Sequence, residues 1–301
     1  MGLFGWLSGN QGKKTAYGIS TEELQEIVLA ADQGDFRAKQ RLLELFDRGL
    51  SADEHNRIRL NLYQPLAEQG SAAAQRWMGL LTNQNPELSC QWYQKAAVQG
   101  DVEAMKALAL GYSEIMNEDN FAPYPGFGHY PELELSWLKK AAEAGDSEAQ
   151  CSLAKMCESG DNVEKDIDQA IYWYTEACKL DYAPAFLALG QLYNCPLHNQ
   201  YDVQTAIKYF LQAVDTGNQE VVAGAAQELG VYYGSCYIFN TPKLDQHNAN
   251  ESLYWLSQAY ILGDNPYVKE YIDKLCAATG TGISEDTWAK WLAEAKARVR
   301  P

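Results

Sequence analysis

The chain has 301 residues, 47% hydrophobic and 21% charged, with 24 Lys and Arg against 40 Asp and Glu, a net charge of −16 and an isoelectric point near 4.7. That is enough apolar material for one large core or two ordinary ones. Such an acidic surface keeps a protein soluble and repels nucleic-acid phosphates and anionic membranes, so nucleic acid is excluded as a partner and a basic protein is favoured.

The first 18 residues form a Gly-rich tail with an apolar tip at Leu3, Phe4, Trp6 and Leu7. Lys13 and Lys14 follow the apolar stretch, the wrong order for a signal peptide. Gly2 is followed by Trp6 where myristoylation needs Ser or Thr. No run of 18 apolar residues occurs, so no stable membrane insertion is expected. A cytoplasmic location follows, with a flexible tail over 1–18.

A helix is predicted over 21–33, N-capped by Ser20 or Thr21, with Glu23 completing a capping box. From there one phrase recurs: an aromatic pair, a small pair, then Gly and a polar residue. It reads QWYQKAAVQGD at 91–101, SWLKKAAEAGD at 136–146, YWYTEACKLDY at 172–182, KYFLQAVDTGN at 208–218 and YWLSQAYILGD at 254–264. Weaker copies stand at 26–35 and 62–71. Its anchors, Gly34, Gly70, Gly100, Gly145, Asp181, Gly217 and Gly263, are spaced by 36, 30, 45, 36, 36 and 46 residues. A fixed period of this size is the signature of a repeat array.

A second phrase follows each anchor. Ala38, Ala74, Ala104, Ala149 and Ala185 lie four residues past it, and Leu42, Met78, Leu108, Leu153 and Leu189 four further on. A small residue usually comes next, as at Gly79 and Gly190; in the sixth copy the phrase is shifted by four, to Ala225, Leu229 and Gly230. Spacings of four and one put these residues on one helical stripe. Each unit is therefore two helices, A with the Ala-Leu-Gly phrase and B with the aromatic phrase. The anchor ends helix B in a left-handed turn, and the Asp or Asn after it N-caps the next helix A. Ala96–Ala97, Ala141–Ala142 and Ala177–Cys178 allow close helix approach, with Trp92, Trp137, Trp173, Tyr209 and Trp255 filling the space between units. The fold class is an all-α solenoid of six to seven helix-turn-helix repeats over 19–283.

Two insertions interrupt the period. Residues 117–132 hold three prolines and the aromatics Phe121, Tyr124, Phe127 and Tyr130. They read either as a binding loop with aromatic anchors or as a patch folded onto the repeats. Residues 235–250 form a second, weaker insertion. A last helix over 284–299, capped by Ser284, carries Trp288, Trp291, Leu292 and Ala295 on one face to seal the array, so 284–301 is a capping segment.

The phrases resemble the Sel-one-like repeat, a branch of the tetratricopeptide-like helical repeats, over about residues 20–280. The resemblance implies a right-handed α/α superhelix and protein–protein assembly, as an adaptor or, in bacteria, as a partner-specific binder. It also implies that helix A lines the concave groove. Mapped here, those positions include Arg37, Gln40 and Glu44 in the first unit, Arg76 and Leu80 in the second, and Glu103 and Lys106 in the third. The fourth gives Glu148, Cys151, Lys155 and Glu158, the fifth Leu187, Gln191 and Asn194, and the sixth Gly224, Gln227, Val231 and Gly234. A secreted, cysteine-rich branch of the family staples its repeats with cysteine pairs. Only Cys178 matches that pattern, and Phe186 stands where its partner would be.

Seven cysteines at irregular spacing, with no CxxC, read as buried reduced thiols. His55, His129, His198 and His247 are expected in loops, far apart in sequence. No HExxH, GxSxG or phosphate loop occurs. No catalytic residue, metal site or cofactor is therefore expected. The leading function is a monomeric, non-catalytic binder of a protein or peptide partner, as an adaptor or a toxin-neutralising immunity protein. The alternatives are a hydrolase of the cysteine-rich branch and a self-associating scaffold.

Overall fold

The computed structural model describes residues 52–113, 130–238, 246–263, 265–279 and 283–298, with scattered positions between 20 and 41. Among the described residues thirteen helices are complete and no strand occurs. The chain divides into two compact units, Met1–Ala144 and Gly145–Pro301. The first holds α1 (Ala52–Glu68), α2 (Ala72–Leu81), α3 (Pro86–Val98), α4 (Val102–Tyr112) and α5 (Pro131–Glu143). The second holds α6 (Ser147–Ser159), α7 (Ile167–Lys179), α8 (Ala183–Tyr193), α9 (Val203–Asp215), α10 (Gln219–Ile238), α11 (Gln246–Gly263), α12 (Pro266–Thr279) and α13 (Glu285–Arg298). In each unit a helix packs chiefly on its neighbours in sequence, so the architecture is an all-α helical-repeat solenoid.

The turns follow from their anchor residues. Gly70, Gly100, Gly145 and Gly217 have φ of +97, +93, +90 and +73°, and Asp181 takes φ 56° in the same role. Glycine is favoured there because a Cβ strains the left-handed conformation. Ser71, Asp101, Asp146 and Asn218 then cap the next helix, each accepting from the backbone N–H three residues on. Each such cap is worth about 1 kcal/mol. Helix B has its own caps, Asn85, Asp166 and Asp202. At the start of the chain Ser20 Oγ accepts from Glu23 N–H at 3.1 Å, the cap expected there.

The Ala-Leu stripe forms the core. Ala74, Ala104, Ala149, Ala185 and Ala225 are all buried, as are Met78, Leu108, Leu153, Leu189 and Leu229. The aromatic pair divides its work differently from the expectation. Its second residue is the core one: Tyr93, Tyr174 and Phe210 are buried, with Leu138 and Leu256 in the same place. Of the first residues Trp255 is buried, while Trp92, Trp137, Trp173 and Tyr209 are only half-buried. Lys95 and Lys140 cover the open faces of Trp92 and Trp137, 4.1 and 3.8 Å from the ring centroids.

The small residue after Leu makes room for that core ring. A Cβ on Gly79 would lie 2.8 Å from the Tyr93 ring, one on Gly190 2.5 Å from Phe210, and one on Gly230 2.7 Å from Leu256. In four of these helices the residue four before the core one is also small, Ser89, Ala170, Ala206 or Ser252, all buried, whereas α5 has Glu134 there. The two serines donate to the carbonyls of Gly79 and Gly230, at 2.6 and 2.8 Å, and so satisfy their own hydroxyls.

Five expectations change. The insertion over 235–250 is shorter, because α10 runs to Ile238 and α11 starts at Gln246. His55 and His247 accordingly lie in α1 and α11 rather than in loops. The six described cysteines are free and only partly buried rather than buried. Gly263 stays helical, and a Cβ there would lie 3.3 Å from the Ala223 Cβ, so close approach rather than a left-handed turn is its role. The groove-lining Gly234 is buried against Ser252 and Tyr271, which removes it from any surface. At the C-terminal end α13 starts at the Ser284 cap, and Trp291 and Trp288 meet Tyr254 and Tyr260 at ring-centroid distances of 5.8 and 6.2 Å. Gln258 of α11 donates to the Trp291 carbonyl at 3.1 Å.

Candidate partner-binding site

Within the first unit the helix-A positions Arg76, Leu80 and Glu103 share one small cavity with Trp77 and Tyr93. Arg76 Nε pairs with Asp101 Oδ2 at 3.2 Å, which ties α2 to the cap of α4. Lys106 pairs with Glu103 on its own helix at 3.5 Å. Arg37 is exposed and helical. Gln40 and Glu44 lie outside the described residues.

Phe121, Tyr124 and Phe127 of the aromatic insertion also lie outside the described residues. Tyr130 is described. Its ring meets Tyr112 edge-on, with centroids 6.0 Å apart, and its N–H donates to the Tyr112 carbonyl at 3.0 Å, so the two ends of the insertion are held together. Tyr112 OH in turn lies 3.1 Å from Cys90 Sγ, and burial with this contact pushes its pKa up to about 12.

Within the second unit the helix-A positions join into a row. Leu187 of α8 lies against Gly224 of α10, where an added Cβ would be 2.9 Å away. Gln191 Nε2 donates to Glu228 Oε1 at 3.3 Å, and Asn265 Nδ2 donates to Gln227 Oε1 at 3.4 Å. Side-chain amides and carboxylates thus link α8, α10 and α12. Asn194 caps the end of α8. Glu148 and Lys155 are exposed on α6. Glu158 has a structural duty: it accepts from the buried Tyr174 hydroxyl at 2.9 Å, and burial together with this carboxylate raises the Tyr174 pKa.

Sequence reasoning missed Glu228 and Asn265. Glu228 follows a predicted groove residue directly, and Asn265 is a helix cap whose sequence context gave no sign of a second role.

Cys151, a helix-A position of α6, has its pKa pushed to about 11 by burial, so it is protonated and poorly nucleophilic at neutral pH. Among the described residues no three His, Cys, Asp or Glu side chains converge as metal ligands. What the row presents is amide donors and acceptors, which match polypeptide backbone and polar side chains.

A family model described as Sel1 repeat matches residues 72–101, 135–146, 147–182, 187–218 and 223–264, half of the chain. This chain belongs to the Sel1 repeat family. The matched segments that start at 135, 187 and 223 begin inside α5, α8 and α10. Among solved structures it is similar to c5321, a protective antigen of uropathogenic Escherichia coli with an SLR fold. The TM-score is 0.63 at 19% identity, over 93% of this chain and 58% of that one. It is also similar to a Sel1 repeat protein from Oxalobacter formigenes, with a TM-score of 0.60 at 24% identity over 85% of this chain and 98% of that one. At these identities the likeness is one of fold. This chain spans under two thirds of the antigen's length. No curated protein matches it in sequence. No helix among the described residues is long and apolar enough to cross a membrane.

Proposed function

We propose that this Sel1 repeat protein is a monomeric, non-catalytic interaction module that holds a protein or peptide partner along its helix-A row. The observation that carries the reading is the row itself: Gln191 with Glu228 and Gln227 with Asn265, joining three successive A helices of the second unit. A regular scaffold with residues that vary from repeat to repeat suits partner-specific recognition. Within the first unit, taken by itself, Arg76, Glu103 and Lys106 hold the corresponding helix-A positions, and Tyr130 stands at the foot of the aromatic insertion. The protein acts in the cytoplasm as an adaptor or as an immunity protein that occludes a toxin. Its charge of −16 favours a basic target. In this reading residues 19–283 are the repeat domain, 1–18 a tail and 284–301 the cap.

Affinity capture from lysate of the source cell tests it, with the wild type beside a Gln191→Lys, Gln227→Lys variant of unchanged melting temperature. A single stoichiometric basic protein is expected with the wild type, weakened by salt and lost with the variant. A partner held equally by both removes the groove from the reading, and turnover of a substrate removes the non-catalytic assignment.

A further inference from the structure

The fifth repeat carries a surface outside the helix-A row. Its turn between α8 and α9, residues 194–202, is held throughout by hydrogen bonds. His198 N–H donates to Cys195 O at 3.1 Å, Tyr201 N–H to His198 O at 3.2 Å and Asp202 N–H to Tyr193 O at 2.9 Å. His198 Nδ1 lies 3.3 Å from Leu192 O. Gln200 Nε2 donates to Asp168 Oδ1 at 2.6 Å and so fixes the turn against the first turn of α7. On this fixed turn Leu197 is 91% exposed and Tyr201 49% exposed. Tyr172, one turn beyond Asp168 on the same face of α7, is 51% exposed, its ring edge-on to Trp173.

The core gains nothing from these side chains. A mobile turn would lose little by carrying an exposed Leu. A hydrogen-bonded one holds it in a single place, which lowers the ordering cost of binding. A fixed aliphatic tip, with Tyr201 on the same turn and Tyr172 one turn along α7 from the anchoring Asp168, has the composition of an interface anchor. The surrounding charge is predominantly negative. No Lys or Arg occurs between Lys179 and Lys208, whereas Asp181 and Asp202 do. Lys179 is paired with Glu176. Glu164, Asp166 and Asp168 stand at the start of α7, with Lys165 as the cation among them.

We infer that Leu197, Tyr201 and Tyr172 form a second docking surface for a basic, apolar segment of a partner protein. Leu197 enters an apolar recess of the partner. Its Arg or Lys side chains lie over the tyrosine rings and beside Asp168. A second copy of this chain is the wrong occupant, because it would bring an equally acidic surface to this one.

The test uses the full chain, isotope-labelled for amide NMR and titrated with a synthetic amphipathic peptide of alternating Arg and Leu and with its Glu–Leu counterpart. Shifts centred on Tyr172, Leu197 and Tyr201 are expected with the Arg–Leu peptide, weakening severalfold as salt rises to about 0.3 M. The decisive variant is Leu197→Asp, which folds because the site is exposed. It adds a negative charge, so simple attraction of a basic peptide would strengthen, whereas loss of the anchor weakens binding by about tenfold or more. Tyr201→Ala should weaken it in the same direction. Equal or tighter binding to Leu197→Asp overturns the inference. So do equal binding of the Glu–Leu peptide, shifts confined to Gln191 and Gln227, no binding at all, or a wild-type dimer in light scattering that Leu197→Asp abolishes. The Gln191→Lys, Gln227→Lys variant should keep this site, so the two surfaces fail separately.

Discussion

A glycine inside a helix costs about 1 kcal/mol relative to alanine, yet Gly190 sits mid-helix where a Cβ would lie 2.5 Å from the Phe210 ring. Gly145 is used for another reason, its φ of +90°, with nothing within 4 Å of a built Cβ. Gly190→Ala should lower stability by about 1–3 kcal/mol through overpacking, and Gly145→Ala by about 1–2 kcal/mol through backbone strain. Denaturant titration separates the two, since adding Phe210→Leu should recover part of the first loss and none of the second. Partly buried thiols give a pH dependence. Burial pushes Cys151 to about 11 and Cys178 to about 12, from an ordinary 9.0. The folded chain therefore keeps protons that the unfolded chain releases above pH 9. Their contribution is intact below pH 9 and is lost as pH rises from 9 towards 12. The urea midpoint should fall over that window, less steeply in Cys178→Ala; an unchanged slope would refute the assignment.

At the scale of the element, Asp101 serves two helices: it caps α4 through Ala104 N–H at 2.9 Å and pairs with Arg76 of α2 at 3.2 Å. Asp101→Asn keeps a capping oxygen and loses only the ion pair, less than about 1 kcal/mol for a partly exposed pair. Asp101→Ala loses both, about 1–2 kcal/mol. Thermal melts of the two variants should be clearly ordered, and equal effects would show that the cap contributes little. The cap pattern was legible in sequence because Asp or Asn after the anchor is a local signal. The role of the second aromatic was not. Tyr93 and Trp92 are neighbours of similar hydropathy, and only the approach of Gly79 decides which ring turns inward.

At the scale of the molecule, near-neighbour packing predicts that damage stays local. In the second unit α13 covers α11 through Trp291, Trp288 and the Gln258 bond. Ending the chain at residue 279 should deprotect the amides of α11 and α12 in hydrogen exchange and leave α6 to α8 protected. Uniform deprotection of the whole unit would contradict the array picture. The site shows the same division. Arg76, Glu103, Gln191 and Gln227 could be named from phrase positions. Their neighbours Glu228 and Asn265, and the structural use of Glu158 by Tyr174, needed the helices side by side.

The repeat period, the helix pairs, their turns except the one at Gly263, and their buried Ala-Leu stripe were determined by the sequence alone. Each rests on local backbone preference or on periodicity within one helix, and each recurs often enough to be read. Only the tertiary structure decided which aromatic is core, which carboxylate is already engaged and which exposed leucine stands on a fixed turn. Those properties belong to pairs of residues far apart in the chain, such as Gln200 and Asp168 or Gly190 and Phe210, and no local preference encodes a contact across 20 or more residues.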